Sequence, residues 1–139
     1  MIQRVQSVYL FLVTVLQVIL LMSDIATYID ERGETICRTT NLPIVAALTS
    51  LTAIIPAISM FLYRKRILQM RFNIFNSILL AALQGFIIYY VVSFYRAAVS
   101  FSFSITSTFS IISIILSILA IRNILKDELL IRSLNRIRR

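Results

Sequence analysis

The apolar positions of this chain fall in four long runs divided by short polar blocks. Residues 7–23, 44–63, 73–95 and 102–121 contain no charged side chain. Each run is roughly 17–23 residues long, enough as α-helix to cross the ~30 Å hydrocarbon layer of a bilayer. The pattern predicts an all-α membrane protein, a four-transmembrane-helix bundle forming one domain over residues 1–139. A polar outer loop at 24–42, a cytoplasmic loop at 64–72 and a basic tail at 122–139 complete the layout.

The outer loop has a pattern of its own. Thr27-Tyr28-Ile29 and Thr35-Ile36-Cys37 are β-favouring runs on either side of Glu31-Arg32-Gly33-Glu34. They are compatible with a short β-hairpin turning at Gly33, where a positive φ is tolerated. A lone two-strand hairpin is marginal, so it would have to rest on the helix ends. A plain ordered loop competes with it. Pro43 opens the second span, where its missing N–H is harmless. Pro56 lies inside that span and frees the Thr52 carbonyl, which predicts a kink near 52–56. At the first span a signal peptide is the competing reading. The apolar run is long for one, and Ser23-Asp24-Ile25-Ala26 is a poor cleavage site, so an uncleaved helix is expected.

Composition agrees with the membrane reading. Of the 139 residues, 59% are hydrophobic and 14% charged, where soluble domains carry about 25% charged. The net charge of +8 would suit nucleic acid. However, the cations flank apolar spans and form no aromatic-basic platform, so nucleic acid is excluded as a partner. The residues before the first span, the central loop and the tail hold 11 of the 14 Lys and Arg, against Arg32, Arg38 and Arg96 on the other side. The positive-inside bias then places both termini and the central loop in the cytoplasm.

Small residues recur at helical spacing within the spans. Ala46, Ser50, Ala53 and Ala57 lie on one stripe of the second span. Ser77, Ala81 and Gly85 lie on the third, and Ser110, Ser113 and Ser117 on the fourth, flanked by Thr106 and Ala120. In lipid such stripes let backbones approach, so they are the expected helix-packing seams.

Candidate chemistry is sparse. No ionisable group falls inside the spans, and the embedded polar side chains are Gln17, Asn76, Gln84 and hydroxyls. The chain has no His and one cysteine. A Cys/His metal site, a His-ligated haem and a serine hydrolase with a His base are therefore unavailable. A non-enzyme without cofactor or metal is expected, with Gln17 and Gln84 bonding between helices. Cys37 reads as a small buried hydrophobe, with cross-linking to another chain as the alternative. The tail is a modestly amphipathic basic helix that can hold anionic headgroups or dock a partner.

Three stretches carry a resemblance. They are Met1-Ile2-Gln3-Arg4-Val5-Gln6-Ser7-Val8-Tyr9-Leu10, the loop Leu62-Tyr63-Arg64-Lys65-Arg66-Ile67-Leu68-Gln69-Met70-Arg71, and the tail from Lys126-Asp127-Glu128-Leu129-Leu130-Ile131-Arg132-Ser133 through Arg136 and Arg138. Together they resemble a family of small four-span inner-membrane proteins of Bacteroidetes-type bacteria, a domain of unknown function. Arg64-Lys65 replaces the Lys-Asn of that family's loop and keeps it basic. The resemblance implies a bacterial inner membrane and transfers no activity. Tyr63, Arg64, Lys65, Arg66, Gln69 and Arg71, with Arg122, Lys126, Arg132 and Arg136, form the expected contact surface for anionic lipid or other membrane subunits. An accessory subunit of a membrane complex is the leading expectation. A homo-oligomeric transporter or channel with a Ser/Thr-lined path is the alternative.

Overall fold

The computed structural model describes residues 2–30, 33–62, 65–97 and 100–137. Four helices dominate: α1 (Ile2–Met22), α2 (Pro43–Phe61), α3 (Arg66–Ala97) and α4 (Phe109–Ile137). All four are long and apolar enough to cross a membrane, with candidate spans Val5–Met22, Pro43–Phe61, Ile67–Ser93 and Ile105–Ile131. α1 packs on α2 and α4, and α3 packs on the same two, so the helices form a square in chain order. Short connections favour antiparallel neighbours of this kind.

α2 starts with Pro43 in its first turn, as expected, and runs unbroken through Pro56. Its end is closed by the Leu62 amide donating to the Ser59 carbonyl at 3.2 Å. α3 follows almost at once, with the Gln69 amide donating to the Lys65 carbonyl at 3.0 Å. α4 has 29 residues, about 43 Å of helix. The segment after Ile121 is therefore a straight continuation of the fourth helix.

At the opposite end the chain forms a small sheet of β1 (Asp24–Asp30), β2 (Gly33–Arg38) and β3 (Ser100–Phe103), ordered β2-β1-β3 and antiparallel throughout. The β1–β2 pair is the hairpin that the outer-loop pattern suggested, with Thr27 opposite Ile36. β3 differs from the sequence expectation, which ran helix from residue 102. Ser100-Phe101-Ser102-Phe103 alternates polar and aromatic residues, a period-2 pattern that suits a strand. A single turn of 3₁₀ helix at Ile105–Thr108 then leads into α4. The third strand removes the weakness of an isolated hairpin.

Hydroxyls fasten this sheet to the helix ends. The Thr39 hydroxyl, fully buried, donates to the Leu20 carbonyl at 2.7 Å, with the Ser23 carbonyl 3.0 Å away. Leu20 lies in the last turn of α1, where carbonyls lack an i+4 partner, and its carbonyl also accepts from the Ser23 amide at 3.2 Å. Ser107 donates to the Ile25 carbonyl at 3.1 Å and Thr106 to the Asp24 carbonyl at 2.8 Å, which ties the start of α4 to β1. The Arg38–Asp24 ion pair at 3.2 Å is exposed on both sides and adds little. Below the sheet the main apolar core gathers Val13, Leu20, Ile25, Ala26, Val45, Leu80, Leu83 and Ile87.

Replacing Thr39 with Val keeps its shape and removes the hydroxyl bond, leaving the Leu20 carbonyl with only the Ser23 amide at 3.2 Å. The expected loss is about 0.5–1.5 kcal/mol, that of one net hydrogen bond, read as a lower unfolding midpoint in detergent, with Thr39→Ser recovering most of it.

Candidate functional site at the basic end

Each helix presents one buried face, and the four faces differ in chemistry along their length. On α3 the buried positions are Gln69, Asn73, Asn76, Leu80, Leu83 and Ile87. The spacing of four, three, four, three and four keeps them on one heptad-like stripe. The half near the α2–α3 turn is polar and the half near the sheet is apolar. α4 has a buried run of the same spacing, Ser110, Ser113, Ser117, Ala120, Ile124 and Asp127, but its serines begin at the sheet end and Ala120 and Ile124 lie towards the basic end. On α1 the buried face is Gln6, Leu10, Val13, Gln17 and Leu20. α2 contributes Val45, Thr49, Thr52, Ala53, Ile55, Pro56 and Ser59.

Two hydrogen-bonded junctions fix the depth of these faces. The Gln17 amide donates to the Ser113 hydroxyl at 2.9 Å, and its carbonyl lies 3.2 Å from the Thr52 hydroxyl. The Thr52 proton also has the Leu48 and Thr49 carbonyls at 3.0 Å. Gln17 thus joins α1, α2 and α4, as the sequence suggested. At the basic end the Gln6 amide donates to Asp127 at 2.6 Å, in a buried contact between α1 and α4. Asn76 lies ten residues past the start of α3 and Thr52 nine before the end of α2. An antiparallel pair with a tight turn sets these two at about the same depth.

Several of the buried polar groups have no internal partner. Both amide atoms of Asn73 and of Asn76 lack one among the described residues, as do the hydroxyls of Ser59, Ser110 and Ser117 and the carbonyl oxygen of Gln84. Asn73 and Asn76 are fully buried. Other hydroxyls are satisfied within their own helices, with Ser50 bonded to the Ala46 carbonyl and Ser77 to that of Asn73, a common arrangement in membrane helices.

The expected packing seams are met unevenly. Ser110, Ser113 and Ser117 on α4 and Ala53 on α2 are buried, while Ala46, Ser50, Ala57 and Ser77 are half-buried. Ala81 and Gly85 are exposed, and a Cβ placed on Gly85 would meet nothing within 4 Å. The small-residue stripe of α3 is therefore not a seam. It sits one residue, or about 100°, away from the buried face, which larger polar and apolar side chains occupy instead.

The expected contact surface is also divided. Lys65, Arg71, Arg122 and Lys126 are exposed at the basic end. Gln69 is corrected: it is only 3% exposed and faces the bundle. Tyr63 and Arg64, and the side chains of Arg66, Arg132 and Arg136, lie outside the described residues. Beside Arg71 an open groove of about 190 Å³ is lined by Leu68, Arg71, Phe72 and Phe75. Sequence reasoning missed Asp127, which it assigned to the tail because the apolar run stops at Ile121. The heptad spacing from Ser110 through Ala120 and Ile124 to Asp127 was the available signal. Among the described residues, no group of three or more His, Cys, Asp or Glu could hold a metal ion.

Cys37, opposite Ala26 in the sheet, is 6% exposed and free. Burial pushes its thiol above the usual range. The thiolate is the reactive form, so the folded protein should resist alkylation at neutral pH and react on unfolding. A raised folded pKa also means that the thiol's contribution to stability is intact below the unfolded thiol pKa and declines as pH rises through the folded one. Gln17→Leu is expected to lower stability by about 0.6–1.7 kcal/mol in detergent unfolding. An unchanged or raised midpoint would show that packing, not bonding, holds the junction.

No curated protein and no solved structure matches this chain. Residues 2–137 match the family described as Domain of unknown function (DUF4293). With nearly the whole chain covered, the protein belongs to that family.

Proposed function

We propose that this protein is a non-enzymatic subunit of the bacterial inner membrane. In this reading it serves as an accessory component of a membrane protein complex, with both termini in the cytoplasm. The carrying observation is the division of its charge. Four exposed cations, Lys65, Arg71, Arg122 and Lys126, gather at one end against Arg38 and Arg96 at the other, while Asp127, buried inside the bundle, is tied to Gln6. Charge held on the outside suits contact with acidic surfaces rather than catalysis between helices.

Arg71 beside an apolar groove supports an anionic lipid at this rim. Leu68, Phe72 and Phe75 offer an acyl surface, and each cation near a headgroup contributes about 1 kcal/mol. Such a lipid would seat the bundle against neighbouring subunits. The transporter alternative is weaker, because Ser110, Ser113 and Ser117 are buried within their own bundle. A pore between copies would then be lined by exposed Ile, Leu and Phe instead.

Gentle native purification should recover a stoichiometric partner. Charge reversal at Arg71 and Lys126 should reduce both that partner and co-purifying anionic lipid, with the fold unchanged by circular dichroism. Recovery as a lone chain without bound anionic lipid would refute the proposal.

A further inference from the structure

We infer that the basic half of the bundle interior is a binding site for a small uncharged hydrogen-bonding molecule, entered past the Gln6–Asp127 contact. The site is built by Asn73, Asn76, Ser59 and Ser117. All four are fully buried, and their side-chain polar atoms have no partner among the described residues. Each carboxamide brings two donors and an acceptor, and each hydroxyl one donor and acceptor capacity. Leaving such groups dry costs about 1–3 kcal/mol apiece. Buried polar groups are normally paired with protein or with ordered water.

The chemistry of the lining selects the occupant. No buried cation faces it among the described residues, so an anion has nothing to neutralise it. Asp127, the one buried carboxylate among the described residues, is already held by Gln6. The orphan groups are neutral and offer donors and acceptors together, which matches water or a small amide or polyol. Towards the sheet the apolar cluster of Leu20, Val45, Leu83 and Ile87 bounds the site, with the unpartnered Ser110 hydroxyl at the sheet end of α4. On the proposed orientation the site opens towards the cytoplasm. Gln6 and Asp127 stand at that end as a latch between α1 and α4.

Hydroxyl-radical footprinting in nanodiscs with heavy-oxygen water tests this on the unaltered protein. Leu10 and Ile124, next to the latch, are as buried as Leu83 and Ile87 below the sheet, each at 0–1% exposure. Bound water predicts severalfold faster labelling of Leu10 and Ile124 than of Leu83 and Ile87. Asn73→Leu with Asn76→Leu should bring the first pair down to the rate of the second. Gln6→Leu should raise labelling about tenfold, as expected from losing a charge-assisted bond worth about 1.5 kcal/mol or more. Urea and glycerol are then titrated, with exposed Met22 as the scavenging control. Saturable protection of Leu10 and Ile124 assigns the site to the solute, and unchanged labelling assigns it to water. Equal, low labelling of all four residues in the native protein overturns the inference, whatever the fate of the accessory-subunit proposal.

Discussion

In hydrocarbon a polar group without a partner is expensive, and most features of this fold answer to that constraint. Water is absent there, so helix association gains nothing from hiding apolar surface and rests on packing and hydrogen bonds. The bundle meets this need at three levels. Thr14, Thr49, Ser50 and Ser77 return their hydroxyls to carbonyls one turn back. Gln17 ties three helices at one depth. Thr39 adds a second donor to the Leu20 carbonyl at the end of α1, beside the Ser23 amide. The Asn73–Asn76 region is where the constraint is left unmet by the protein itself, and for that reason it points to something bound.

The four long apolar helices were legible because length and the absence of charge are sufficient signals for a helix able to cross a membrane. The hairpin was legible from Thr27–Ile29 and Thr35–Cys37. β3 was not, because Phe101 and Phe103 read equally well as the start of an apolar helix and the pairing with β1 is a long-range fact. The burial of Ala53 and of Ser110, Ser113 and Ser117 agrees with their small size. Ala81 and Gly85 are exposed, because size permits close approach without requiring it. Gln69 was read as a surface residue from its basic neighbours, Arg66 and Arg71. Its burial follows instead from its place four residues before Asn73, on a face that the tertiary packing chooses.

The two ends of the bundle are therefore different materials. Near the sheet, Leu20, Val45, Leu83 and Ile87 pack as an apolar plug under a three-stranded cap. On α3, Gln69, Asn73 and Asn76 replace them near the α2–α3 turn, while the buried serines of α4 begin at the sheet end. Such a gradient is unnecessary for insertion, which four Leu-rich helices would accomplish. It is also poor economy for stability, since apolar residues of similar size in place of Asn73 and Asn76 would leave no orphan donors. A bundle that keeps two buried carboxamides at one end gains binding capacity there, on the same side as its exposed cations.

The Gln6–Asp127 contact shows how that end is kept in register. The candidate span of α4 reaches Ile131 and that of α1 begins at Val5. Asp127 is thus about one turn inside its boundary and Gln6 barely inside its own. A carboxylate at the bilayer centre would cost about 2.5–3.5 kcal/mol or more, and the cost falls towards the interface. The pair is shallow enough to be tolerated and buried enough for its bond to matter. Rotating α4 by one residue, or about 100°, would replace Asp127 with Lys126 or Glu128 at this position. Lys126 would set an ammonium against an amide that can offer only its oxygen, and Glu128 would bring a carboxylate on a side chain one methylene longer into a space that fits a 2.6 Å contact to Asp127. One hydrogen bond between the beginning of α1 and the far part of α4 therefore selects the rotation that aims Ser117 and Ser113 inward, and with it the polar lining of the bundle.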